Sequence, residues 1–259
     1  MLHNKNIVII GGTSGIGLSA AKSFIGNGAR VVAVGRNPET CRKAQGELGS
    51  WGLVFPGDAS HEETASRAIE MCLREWGGFD GLYHVAGGSG RRMGDGPLHE
   101  ITLEGWNKTL DLNLTSLMLS NRAAIREFLG MDRGGTILNM GSVLGYSPAP
   151  RYFSTHAYAA AKSAIIGFSK SIAAYYAQNN IRVNVIAPAV VQTGMAKRAV
   201  SEPAIRDYIQ TKQPLEGGRI GTPKDLDGAA CYFMSDQSQF ATGQVLAVDG
   251  GWGISEGQI

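Results

Sequence analysis

The chain has 259 residues, 43% of them apolar and 18% charged, with 36 glycines and a formal charge of +2. That length holds a substantial core, and the apolar content excludes a disordered chain. Scattered basic residues and a near-balanced charge give no concentrated field for nucleic acid. Cys41, Cys72 and Cys231 are far apart with no CxxC, and the histidines lack ligand spacing, so neither a disulfide framework nor a metal site is implied. No apolar run reaches the length of about 18 residues that would mark a membrane span. A strand pattern begins within a few residues of Met1, with no room for a signal peptide, so the cytosol is the expected location.

Asn6 to Ile10 is a continuous, mostly β-branched run that reads as a buried parallel strand. It leads into Gly11-Gly12-Thr13-Ser14-Gly15-Ile16-Gly17 and then a helical pattern from Leu18 to Asn27. Strand, Gly-rich turn and helix in this order form a phosphate site: glycines admit close backbone approach, and the helix N-terminus presents free N–H groups. Such turns also serve tight strand–helix packing. The spacing is not GxGxxG, and the Lys-Ser/Thr of a P-loop is missing. A second strand, Val31 to Val34, ends at Gly35-Arg36. An acid there would bind a ribose 2′-hydroxyl; a guanidinium accommodates a 2′-phosphate instead, which favours NADP(H) over NAD(H) unless Arg36 is simply solvated.

Pro38 to Leu48 reads as a helix and Leu53 to Phe55 as a third strand, with Asp58 or Ser60 placed to cap a helix beginning near Glu62. Phe79 to Val85 is the fourth strand. The loop from Gly88 to Pro97, with Arg91 and Arg92, either covers substrate or is a solvated connection. A long helix is expected from Leu103 to Phe128, and Asn113 inside it competes with the backbone for hydrogen bonds. Thr136 to Met140 is the fifth strand; Ser142 follows at its C-terminal end, where open α/β sheets bind ligands. Tyr158 and Lys162 lie one turn apart on an Ala-rich helix reaching about Asn179. The ammonium is expected to lower the phenol from its usual pKa of about 10, fitting it for proton transfer, although the isolated pair is a weak motif. Ile181 to Ala187 is strand six, Met195 to Gln210 a lid helix, Pro223 to Met234 another helix, and Gly243 to Gly251 the last strand. The alternation predicts a single α/β domain over residues 1–259, a Rossmann-type doubly wound parallel sheet of seven strands in the order 3-2-1-4-5-6-7.

Gly11/Gly15/Gly17, Asn113, Ser142, Tyr158/Lys162 and Val248-Asp249-Gly250-Gly251, in that order, resemble the short-chain dehydrogenase/reductase family over residues 5 to 253. Ile10 stands where that family has Thr, His84-Val85 where it has Asn-Asn, and Ala189 where it has Gly. The resemblance implies hydride transfer between NADP(H) and a carbonyl or alcohol, with Tyr158 as general acid/base. Lys162 would lower the phenol pKa and contact the nicotinamide ribose, Ser142 would bond the carbonyl oxygen, and Asn113 would hold a water reaching Lys162. Implied cofactor contacts are Gly11, Thr13, Ser14, Gly15, Ile16, Gly17, Arg36, Asp58, Ala59, Ala86, Gly87, Pro188, Val191 and Thr193, together with Tyr158 and Lys162. His84 is read as structural, its ring bonding a neighbouring strand in place of the family's Asn.

Within the family, Tyr158 to Ser171 most resembles the 3-oxoacyl-carrier-protein reductases, and Arg133 sits at their basic docking position. Their second basic position is here Asn179-Asn180, so a free small ketone or secondary alcohol is preferred over a carrier-bound substrate. A non-catalytic dinucleotide sensor is the alternative of another class. The apolar far face of the Tyr158 helix implies a homo-oligomer, dimer or tetramer. Substrate choice falls to the segments 88–97, 143–157 and 194–213.

Overall fold

The computed structural model describes residues 1–257; the last two residues of the expected 1–259 domain lie outside them. Seven parallel strands form one sheet in the order β3-β2-β1-β4-β5-β6-β7: β1 Asn6–Ile10, β2 Arg30–Gly35, β3 Gly52–Pro56, β4 Gly81–His84, β5 Gly135–Met140, β6 Ile181–Pro188 and β7 Val245–Val248. Helices α1 Gly15–Gly26, α2 Pro38–Leu48, α3 Glu62–Trp76, α4 Leu103–Leu110, α5 Ser116–Met131, α6 His156–Tyr176, α7 Lys197–Ser201, α8 Pro203–Lys212 and α9 Asp227–Met234 complete the alternation. The predicted strand order is the observed one.

The apolar run of β1 is explained by burial on both faces. Ile7 and Ile9 enter the core beneath Phe24 of α1 and Phe233 of α9, while Val8 and Ile10 enter the opposite core against Ile69 of α3 and Phe128 of α5. Alternate side chains of one strand thus feed two cores. Ile10 is paired with Val34 on one side and His84 on the other. The strand order reverses between β1 and β4, so the crevice at their C-terminal ends is the expected ligand position. Among the described residues no helix is long and apolar enough to cross a membrane.

The long helix is irregular at Asn113, where the family resemblance implies a mid-helix kink: a π turn, Asp111–Thr115, divides it into α4 and α5. Three local expectations are corrected. The lid helix is broken at Glu202, whose extended backbone (φ −85°, ψ 116°) is the conformation favoured before Pro203. Strand β7 stops at Val248, and the left-handed Gly250 and Gly251 (φ 63° and 95°) turn the chain away from the sheet. Finally, neither Asp58 nor Ser60 caps α3: the cap position is His61, and Asp58 Oδ1 instead accepts hydrogen bonds from the backbone and hydroxyl of Ser60.

Candidate active site

The Gly-rich turn is packed so closely that side chains are excluded from it. Gly11 and Gly12 both donate to the Val34 carbonyl at 2.9 Å, folding the turn over the end of β2. A Cβ on Gly11, whose φ is +90°, would lie 2.6 Å from the Ala86 nitrogen, and one on Gly17 would lie 2.1 Å from the Gly11 carbonyl oxygen. Ser14 takes the N-cap position of α1 without a side-chain cap bond, so the first-turn N–H groups face the crevice without that partner. Ile16 follows on the same turn and packs on the core, while Thr193 borders Gly15, 3.3 Å from where its Cβ would be. This cradle, open to backbone approach and topped by free N–H groups, fits a dinucleotide pyrophosphate.

At the end of β2, a Cβ on Gly35 would meet Thr13 Oγ1 at 1.9 Å. The missing acid therefore has a steric cause: Thr13 fills the space a carboxylate would need. Arg36 beside it is 62% exposed along its side chain, and its only ion-pair contact among the described residues is a long one, 3.5 Å to Asp58 Oδ2. Burial opposes ionisation of Asp58, but the two Ser60 hydrogen bonds and the Arg36 charge hold its carboxyl below the usual range. Ala59 packs against the core on the α3 side.

Ser142, Tyr158 and Lys162 meet at the other end of the crevice. Lys162 is 3% exposed, and its Nζ donates to the Met140 carbonyl at 2.8 Å and sits 5.6 Å from the Tyr158 ring centroid. Burial pushes the Lys162 ammonium down to about 7. Burial also pushes the Tyr158 phenol up, and a hydrogen bond with the Ser142 hydroxyl pulls part of that back. This corrects the expectation that the ammonium brings the phenol toward neutrality. An amine titrating near 7 carries only part of its charge at neutral pH, and it is engaged by Met140, so desolvation of the phenol prevails. Ser142 Oγ also accepts from the Leu144 backbone at 3.2 Å, which fixes its side of the pair.

Asn113 occupies the π turn and is fully buried. Its Nδ2 donates to the Thr109 and Gly88 carbonyls, both at 2.9 Å, and its Oδ1 accepts from the Gly88 backbone at 3.0 Å. It thereby clamps the first residue of the 88–97 loop. A Cβ on Gly87 would lie 2.7 Å from Asn113 Oδ1 and 3.7 Å from Lys162 Nζ. Asn113, Gly87 and Lys162 are thus neighbours around one backbone segment, with Ala86 against the Gly11 turn.

His84 hydrogen-bonds through its ring as expected, but to a different element. Its Nε2 donates to the Ala86 carbonyl at 3.1 Å, which leaves Nδ1 to accept from Ser120 of α5 at 2.7 Å, so the partner is a helix rather than a neighbouring strand. Burial and the nearby Lys162 charge depress its pKa to about 3, keeping the ring neutral. Pro188 ends β6 opposite Val248, and Val191 forms an isolated bridge with Gly221. Arg133 donates to the Phe79 carbonyl at 2.8 Å and pairs with Asp80 at 3.2 Å, holding its guanidinium on its own domain surface.

Two supporting residues have no local signal in the sequence. Asp95, in the Gly-rich loop, accepts from the backbone of Ala157 and of Tyr158, both at 3.0 Å, capping α6 from 62 residues away in the chain. Gln213 accepts from the Val190 backbone at 2.9 Å and donates back to the Val190 carbonyl at 3.3 Å, anchoring the segment that leads to Val191 and Thr193. Their signals are tertiary, since both act on backbone far from their own elements.

Residues 11–253 match the family model described as Enoyl-(Acyl carrier protein) reductase. The chain is 36% identical to the 3-oxoacyl-[acyl-carrier-protein] reductase of Chlamydia muridarum, over 97% of this chain and 98% of that one. It is 33% identical to a 2-(S)-hydroxypropyl-CoM dehydrogenase of Xanthobacter autotrophicus, over 96% and 97% of the two chains. Among solved structures, a short-chain type dehydrogenase/reductase from Mycobacterium ulcerans superimposes with a TM-score of 0.89 at 30% identity, covering 98% of this chain and 91% of that one. The 3-ketoacyl-(acyl-carrier-protein) reductase of Brucella melitensis, complexed with NADH, gives 0.85 at 28% identity, covering 98% and 100%.

Proposed function

The chain belongs to the short-chain dehydrogenase/reductase family and is an oxidoreductase acting on CH–OH/C=O groups, and from that premise we propose that it interconverts a small free ketone and its secondary alcohol with NADP(H). The cofactor, when bound, supplies or accepts the hydride. The rest falls to the chain as one catalytic domain. Gly11, Thr13, Ser14, Gly15, Ile16 and Gly17 hold the pyrophosphate against the start of α1. Arg36 pairs with the 2′-phosphate, a stronger acceptor than its distant Asp58 partner. Asp58 and Ala59 border the adenine, and Ala86, Gly87, Pro188, Val191 and Thr193 line the nicotinamide side.

Tyr158 gives its proton to the carbonyl oxygen during reduction. Its raised pKa keeps the phenol protonated at neutral pH, the form that reduction consumes. Ser142 donates to the same oxygen and orients it, and Lys162 holds the nicotinamide ribose from its seat on Met140. Asn113 holds the water that links Lys162 to solvent. One observation carries the reading: Ser142, Tyr158 and Lys162 are gathered beside Gly87, at the point where the strand order reverses. The test is NADPH consumption across a panel of small ketones. Turnover of at least one supports the reading, and silence across a broad panel with tight NADPH binding favours a dinucleotide sensor.

A second reading, reduction of a carrier-bound 3-oxoacyl group, is favoured by the names of two relatives. The engagement of Arg133 with Asp80 counts against carrier docking at that position. Carrier-dependent activity would fall steeply with salt; small-ketone activity would not. Exposed Tyr175 on α6 and Leu246 on β7 support a dimer or tetramer, measurable by sedimentation.

A further inference from the structure

Three segments on the substrate side converge on a single carbonyl oxygen. Tyr152, in the segment before α6, presents its backbone oxygen to Arg198 of α7 at 2.6 Å and to Arg91 of the 88–97 loop at 3.5 Å. Two guanidiniums thus share one neutral acceptor. Arg151 lies over the ring of the same Tyr152, its Cζ 5.2 Å from the centroid, and Arg198 lies 5.9 Å over Phe153. Two carboxylates lie near the pair, Asp95 and Glu202, and among the described residues neither makes an ion pair with Arg91. Asp95 is already committed to the N–H groups of Ala157 and Tyr158, and Glu202 is a loose 3.7 Å partner of Arg198. Partial burial and the neighbouring Arg198 charge pull the Arg91 guanidinium below its usual range, outweighing the opposing pull of the Asp95 and Glu202 carboxylates.

A latch between α7 and Tyr152 needs only Arg198, whose bond is short. Arg91 reaches the same oxygen only at the limit of hydrogen-bond length, so its donors are available for a better acceptor. The loop is nevertheless held tightly in place: a Cβ on Gly90, next to Arg91, would lie 1.8 Å from Thr109 Oγ1 and 2.8 Å from the Asp95 Cβ. Asp95 in turn bonds the Tyr158 backbone. Arg91 therefore stands on a short rigid connection to the residue assigned the proton transfer.

We propose that Arg91 and Arg198 form an oxyanion subsite, so that the preferred substrate is an oxo acid whose carboxylate is bound by the two guanidiniums while its ketone faces Tyr158. This rests on the carbonyl-reduction reading and names the substrate class within it. A carboxylate is matched to guanidinium forks in a way that a neutral carbonyl is not.

The test compares kcat/KM with NADPH for linear oxo acids of increasing chain length against their methyl esters. At the best length the acid is expected to exceed its ester by about tenfold or more, the value of charge-assisted hydrogen bonds to a fixed site. Arg91→Gln and Arg198→Gln should each collapse that ratio toward one, and Arg91→Lys should restore part of it. Esters reduced as well as acids at every length would overturn the inference and leave carbonyl reduction standing. An acid preference that survives both Gln variants would overturn it equally. No turnover of either series, with NADPH bound, would remove the carbonyl-reduction reading and the subsite with it.

Discussion

Replacing Asp95 separates the support of Tyr158 from its chemistry. Asp95 is 4% exposed and places one carboxylate oxygen 3.0 Å from each of the Ala157 and Tyr158 nitrogens, in the first turn of α6. Those N–H groups have no partner within the helix. Hydrogen bonds to a charged group contribute about 1.5–3 kcal/mol each, and loss of a helix cap costs about 0.5–2 kcal/mol. The two bonds share one side chain, so Asp95→Ala should destabilise the fold by about 3 kcal/mol, and Asp95→Asn, which retains one acceptor oxygen, by about half that. For a domain of this size each kcal/mol moves the melting temperature by about 2–4 °C, so Asp95→Ala should melt about 6–12 °C lower. Loosening the start of α6 also displaces Tyr158, and a shift of about 1 Å costs up to about a hundredfold in turnover. Calorimetry and ketone-reduction kinetics on the wild type and both variants decide the matter. The expected pattern is a graded loss of melting temperature and kcat with NADPH affinity unchanged. Melting of Asp95→Ala within about 2 °C of wild type would refute the capping argument.

Arg36→Ala should weaken NADPH binding by about tenfold to a hundredfold, the loss of a charge-assisted phosphate contact, and leave NADH unaffected; titration calorimetry with both cofactors checks this, and equal losses would remove the phosphate assignment. His84 sets an acid limit on stability. Its native pKa of about 3 lies below the unfolded value of about 6.5, so between these values the unfolded chain binds the extra proton and stability falls as pH falls. Urea unfolding between neutral pH and pH of about 4 should show that decline, and His84→Gln should flatten it; parallel slopes would mean that the imidazole is not held neutral.

What could be read from the sequence was what depends on near neighbours in the chain. The β-branched runs set the strands, and their alternation with helices set a parallel sheet, because crossover connections return each strand in the same direction. The glycine turn was legible for the same reason, as was the Tyr158–Lys162 spacing on one helix face. The electrostatics of that pair were not. Spacing placed an amine near a phenol, but the direction of the phenol's shift depends on burial and on the Met140 carbonyl, which belongs to β5. Asp95 was invisible as a cap because it serves a helix far along the chain. The break in the lid helix is a different case. Pro203 is a local signal for the break, since the residue before a proline is held out of the helical region, as the extended Glu202 is.

We propose above all that the Tyr158 hydroxyl delivers the proton at a nicotinamide site built from the glycine turn. Tyr158→Phe removes that one oxygen and leaves the ring and its packing. Single-turnover reduction of a ketone that the wild type accepts, measured with NADPH already bound, is predicted to slow by about a hundredfold or more with cofactor affinity intact. A variant that transfers hydride at the wild-type rate would contradict the account.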